Sequence, residues 1–132
     1  MPLINIAIAG PAPAPAIVSR LQAETTVLMR DILRKQATLT VVAVASLPAG
    51  AFSANGVAVP QGASLHATVT AGTNADHEKA AFIAAAEAML RDALGQIDAP
   101  VYVIVQEIPA ADWGYDGRTQ AARRLDAAGV TP

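Results

Sequence analysis

The 132-residue chain contains no cysteine. That absence excludes disulfides, a thiolate nucleophile and zinc–thiolate sites, and it suits a reducing compartment, so a cytoplasmic location is expected. Histidine is scarce as well. His66 and His77 lack the helical spacing that would aim both at one metal beside a carboxylate, and no metal site is expected. Only 15% of residues are charged, the net charge is -2 and no basic run occurs, which argues against a nucleic-acid partner. No long apolar run is present either. Gly10, Pro11, Pro13 and Pro15 interrupt the N-terminal apolar stretch before it could serve as a signal segment or cross a bilayer, and Arg20 is the first cation, so no membrane association is expected. Gly114 and Gly117 read as turn residues rather than a nucleotide loop, and no cofactor is expected.

What the chain does have is apolar bulk, at 53% hydrophobic residues, more than an average domain of this size needs for its own core. One domain over 1–132 is expected, with part of its apolar surface lying against another chain. The chain also repeats itself. The run Val42–Gly56 aligns without a gap on Val103–Gly117, Pro48 matching Pro109 and Phe52 matching Trp113, and the same shift of 61 carries Leu3–Ala9 onto Ser64–Thr70. The expected organisation is one unit over 2–58, a second over 59–117 and a tail over 118–132.

Each unit reads strand, helix, strand. Ile4, Ile6 and Ile8 alternate with Leu3, Asn5 and Ala7, and Gly10 with the prolines ends that strand before a helix opens near Ala14. Val18, Leu21, Thr25, Leu28 and Ile32 recur at helical spacing. The second helix starts at a capping pattern, Thr73 to Asp76, and runs through Phe82, Ala86, Met89 and Leu90 to Leu94, with Gly95 closing it. Right-handed crossovers then give an α/β (α+β) fold: a four-stranded sheet with two helices on one face. Ile4, Ile6, Ile8, Val42, Val44, Leu65, Val69, Val101, Val103 and Val105 fall on the helix-covered side. Asn5, Ala7, Val41, Ala43, His66, Thr68, Tyr102, Ile104 and Gln106 fall on the other, which is expected to pack against sheets of neighbouring subunits. His66 reads as a hydrogen-bonded interface residue there, and His77 as a solvent-facing residue in the first turn of the second helix.

Chemistry concentrates at Pro2. Removal of Met1 would leave it a free secondary amine, and an apolar or cationic setting lowers an α-amino group from its usual ~7.7–8.0 towards the range where a general base works best. As a bland alternative, the proline merely begins a strand.

Pro2, the duplicated strand-helix-strand unit and the run Val105 to Gly117 together resemble the tautomerase superfamily over almost the whole chain. The resemblance implies the tautomerase fold, a homotrimer and a cofactor-independent keto-enol tautomerase in which the amine of Pro2 is the catalytic base. It also implies Trp113 as a wall of the pocket, and Lys35 and Tyr102 as substrate-binding residues for a small carboxylate, Lys35 anchoring it and Tyr102 hydrogen-bonding the oxyanion. The chain departs from the family where a substrate-binding arginine would fall near Ala12. With Lys35 the one cation expected near the site, a monocarboxylate is favoured over a dicarboxylate. Arg118, Arg123 and Arg124 read as a solvated or subunit-clamping face of a short C-terminal helix in preference to the alternative, substrate contact. The rival readings are a hydratase, dehalogenase or decarboxylase built on the same amine, and a catalytically silent trimeric binding protein.

Overall fold

A computed structural model describes residues 2–129. Met1, whose removal the proline's chemistry requires, and the last three residues of the tail lie outside the described residues. Strand β1 (Leu3–Ala9) buries Ile4, Ile6 and Ile8 and exposes Leu3 and Asn5, the alternation a strand covered on one face requires. Pro15 opens α1 (Pro15–Asp31), where a missing N–H costs nothing. The buried stripe of α1 is Leu21, Thr25 and Met29, with Leu28 and Ile32 only partly covered. Met29, not Leu28, is therefore the innermost side chain of the last turns. A short 3-10 turn (Ala37–Leu39) leads into β2 (Val41–Leu47).

A small hairpin closes this first unit, β3 (Ser53–Ala54) with β4 (Val57–Ala58). The order then recurs as β5 (Gly62–Thr70), α2 (Asp76–Leu94), β6 (Tyr102–Ile108) and a second hairpin, β7 (Gly114–Tyr115) with β8 (Arg118–Thr119). Helices α1 and α2 begin at 15 and 76, strands β2 and β6 at 41 and 102, so each pair is offset by 61. Both hairpins turn through two left-handed residues, Asn55 and Gly56 in the first and Asp116 and Gly117 in the second, with φ 53, 75, 49 and 82°. Such a turn matches the natural twist of the flanking strands. Helix α3 (Gln120–Ala127) completes the chain.

The sheet runs β2-β1-β5-β6. β1 and β5 meet antiparallel at the centre, Ile6 opposite Leu65, and each holds a parallel partner outside it. Phe82, Ala86, Met89 and Leu90 of α2 join the stripe of α1 and the buried sheet residues in one core. Each large side chain fully buried there contributes about 1.5–3 kcal/mol. Thr25 sits within it at 0% exposure, its hydroxyl donating to Met89 Sδ at 3.6 Å. The cap of α2 differs from the expected pattern. Glu78 Oε1 accepts from the Ala75 N–H at 2.9 Å, while the Thr73 hydroxyl donates to Thr70 O at 2.6 Å instead of capping the helix.

The opposite face of the sheet is uncovered and apolar at several points, with Val41, Tyr102 and Ile104 exposed by 59, 69 and 45%. His66 lies on it, and its Nε2–H donates to Gln106 Oε1 at 2.6 Å. His77 is exposed in the first turn of α2. Among the described residues, no helix is long and apolar enough to cross a membrane, and no cluster of three or more His, Cys, Asp or Glu could hold a metal.

Candidate active site

Pro2 is buried at the start of β1, its carbonyl accepting from the Val41 N–H at 3.2 Å. It lines a cavity of about 160 Å³ with Leu39, Val41, Trp113, Tyr115 and Gln120. The wall contributed by Trp113 depends on how the C-terminal segment is fastened. Gln120 N–H donates to Trp113 O and Ala121 N–H to Ala110 O, each at 2.9 Å, and Thr119 Oγ1 accepts from the Ala122 N–H at 3.0 Å to cap α3. Gly114 must be glycine for this. A Cβ there would run into Arg118 O across the hairpin.

Lys35 is brought beside this region by the end of α1. Arg34 adopts the left-handed conformation (φ 59°), and the Lys35 N–H wraps back to Met29 O at 3.0 Å, a Schellman-type closure that leaves Lys35 half-buried. Its ammonium donates to Thr73 Oγ1 at 2.8 Å. Desolvation holds the Lys35 pKa below the ordinary lysine value, aided by Arg124 and opposed by the attraction of Glu78 and Glu107. Lys35 lines a second cavity, of about 210 Å³, with Thr70, Thr73, Gln120, Arg123 and Arg124. Gln120 lines both cavities, so the spaces beside Pro2 and Lys35 adjoin each other at this residue.

The arginines differ from the expected solvated face. Arg118 is on β8, not on the helix, and pairs with Asp126 at 2.8 Å. Arg123 and Arg124 reach the Lys35 cavity. Arg123 stacks on the Tyr115 ring, 3.9 Å from its centroid, and its Nη2 donates to Tyr115 O at 3.1 Å. Lys35 is therefore not the one cation near the site, and the argument from charge for a monocarboxylate loses its basis. Among the described residues, Trp113 Nε1 and Arg123 Nε are buried without a hydrogen-bond partner.

Tyr102 does not join Pro2 within the chain. The register sets Tyr102 opposite Ser64 and Ser64 opposite Ala7, five residues up β1 from Pro2 and two strands across, roughly 16 Å along the strands alone. Tyr102 instead lines a cavity of about 300 Å³ with Phe52, Ala63, Ser64 and Pro100. Shifting by 61 carries Pro2 onto Ala63, Leu39 onto Pro100, Val41 onto Tyr102 and Phe52 onto Trp113, so this cavity is the counterpart of the first with alanine in the proline's place. Sequence reasoning did not single out Tyr115 or Gln120, and it ranked substrate contact by Arg123 and Arg124 behind a solvated or subunit-clamping role. The one signal that could have found them is Thr119, which marks a helix start close behind Trp113 and so turns the C-terminal segment back over it.

Among solved structures the fold recurs closely. Native fused 4-OT superposes with a TM-score of 0.79 at 25% identity, over 91% of this chain and 97% of that one. Pt0534 inactivated by 2-oxo-3-pentynoate gives 0.82 at 17% identity, over 92 and 98% of the two chains. A macrophage migration inhibitory factor-like protein from Entamoeba histolytica gives 0.75 at 16%, over 89 and 97%. No family model and no curated protein matches the chain by sequence. The architecture is an α+β fold with a mixed four-stranded sheet. It is the fold of the tautomerase superfamily, and these likenesses support placing the chain in that superfamily.

Proposed function

We propose that the protein is a keto-enol tautomerase acting on a 2-oxo acid, with Pro2, freed of Met1, as its general base. The observation that carries this reading is the burial of Pro2 in a small, largely apolar cavity walled by Trp113 and adjoining the cationic Lys35 cavity. The neutral secondary amine takes the enol proton, leaving an ammonium and an enolate. The same ammonium returns its proton to the conjugated carbon, which restores the amine and yields the ketone. Lys35 holds an anionic group of the substrate in the cavity adjoining that of Pro2, and Trp113 excludes water. The reading is supported by the likeness to Pt0534, which 2-oxo-3-pentynoate, itself a 2-oxo acid, inactivates.

We further propose a homotrimer of chains, each built from one unit used twice, over 2–58 and 59–117. Structures of similar fold include the Q0 and F6 fused 4-OT trimers. Tyr102 then serves as oxyanion donor only if a neighbouring copy brings it to the Pro2 cavity, since its own chain does not.

Native protein should lack Met1 by intact mass and should speed ketonisation of a 2-hydroxydienoate or an enolised arylpyruvate. The rate should rise with pH through the ionisation of the amine, because only its neutral form accepts a proton. Pro2→Ala should lose most of that activity, on the order of a hundredfold or more. Full activity in Pro2→Ala, or in a chain with residues added ahead of Pro2, would refute the assignment.

A further inference from the structure

We infer that Lys35, Arg123 and Arg124 form an anion subsite of the proposed active site, suited to a substrate group bearing two negative charges at the end remote from the reacting carbons. Resting on the Pro2 reading only for the reaction next door, the inference stands on geometry and charge. Three cations, with Thr70 and Thr73, line one cavity of about 210 Å³, and its remaining lining residue, Gln120, also lines the Pro2 cavity.

Among the described residues, the nearby acids are engaged by other cations. Glu78 pairs with Arg34 and Glu107 with Lys79, each at 3.1 Å, and Asp126 pairs with Arg118 at 2.8 Å. Among the described residues no carboxylate is within ion-pair distance of Lys35, Arg123 or Arg124. Lys35 donates to a neutral hydroxyl instead. Arg123 is held before any ligand arrives, by the Tyr115 ring beneath it and the Tyr115 carbonyl, and its buried Nε has no partner among the described residues. A pre-positioned guanidinium loses little entropy on binding an oxyanion.

Charge then selects the ligand. A single carboxylate would leave two cations facing each other in a half-buried space, whereas a phosphate monoester or two neighbouring carboxylates would offset most of the surplus with charge-assisted bonds. The placement fixes the reach of the substrate: its reacting carbons lie at Pro2, its doubly charged end past Gln120.

Calorimetric titration of the intact protein at low ionic strength tests this with inorganic phosphate, malonate and acetate as probes. Phosphate or malonate should bind at least about tenfold more tightly than acetate, and whichever of the two is tighter identifies the source of the charge. Exposed Arg124 can be changed with little risk to folding. Arg124→Gln and Lys35→Gln should each weaken the dianion roughly tenfold, Arg124→Gln with the melting temperature nearly unchanged, whereas Arg34→Gln, a cation already paired with Glu78, should not weaken it. Equal affinity for acetate and the dianions, or dianion binding untouched in both Arg124→Gln and Lys35→Gln, would overturn the subsite. Dianion binding that persists in a protein with no enol-keto turnover would sink the tautomerase reading while sparing the subsite, and turnover without any preference for dianions would do the reverse.

Discussion

Lys35 shows how a single residue can oppose folding while serving a site. Burial lowers its pKa below 10.5, and this desolvation outweighs the pull of Glu78 and Glu107. The unfolded chain therefore binds this proton more tightly than the folded one. Below the folded pKa the buried charge works against stability, and the penalty fades as pH rises towards 10.5. Lys35→Met keeps the length of the stem and removes the charge. It should raise the melting temperature at neutral pH, by an amount that shrinks in alkaline buffer, and weaken dianion binding roughly tenfold. A melting temperature lower than that of the native chain at every pH would show that the hydrogen bond to Thr73 outweighs the burial of charge. At this scale the sequence singled out Pro2 by its position behind Met1, and Trp113 through the resemblance to the tautomerase superfamily. It did not show that Arg123 and Arg124 share a cavity with Lys35, because their local setting is that of an ordinary polar helix and Lys35 is far away in sequence.

At the scale of elements, the hairpin β7-β8 and helix α3 act as one piece. Trp113 O receives the N–H of Gln120, the first residue of α3, and Arg123 reaches back to Tyr115, so the strands, the helix and two cavity walls move together. Gly114→Ala should therefore do more than disturb a turn. Its new Cβ meets the backbone at Arg118, and relieving that contact must spread the hairpin and shift Trp113. A loss of about 1–3 kcal/mol of stability in denaturant titration is expected, with a rise in KM larger than the fall in kcat. Unchanged KM would separate the hairpin from the site. The pairing of strands was largely legible at this level, since alternation in Leu3–Ala9 and the 61-residue repeat sufficed to order β-α-β twice. The cap of α2 was not, because Thr73 had a distant competitor in Lys35 for its hydroxyl.

For the whole molecule, the uncovered face of the sheet sets the expectation. Val41, Tyr102 and Ile104 present apolar surface there beside the small residues Ala7, Ala43 and Thr68, which permit another sheet to approach closely. Sedimentation equilibrium at micromolar concentration should give a trimer. A monomer would remove the only route by which Tyr102 reaches a Pro2 cavity and confine it to the counterpart cavity lined by Ala63.

The sequence by itself determined the main elements, their duplication, the buried face of each strand and the position of Pro2 ahead of the first strand, because periodicity, glycine and proline placement and chain position act over a few residues. Only the tertiary structure decided which charges share a cavity. The antiparallel meeting of β1 and β5 sends Tyr102 away from Pro2 within the chain, while the closure after α1 and the fold-back of α3 bring Lys35, Arg123 and Arg124 together. Those placements arise from how packed elements cross, a property of the whole core that no short stretch of residues carries.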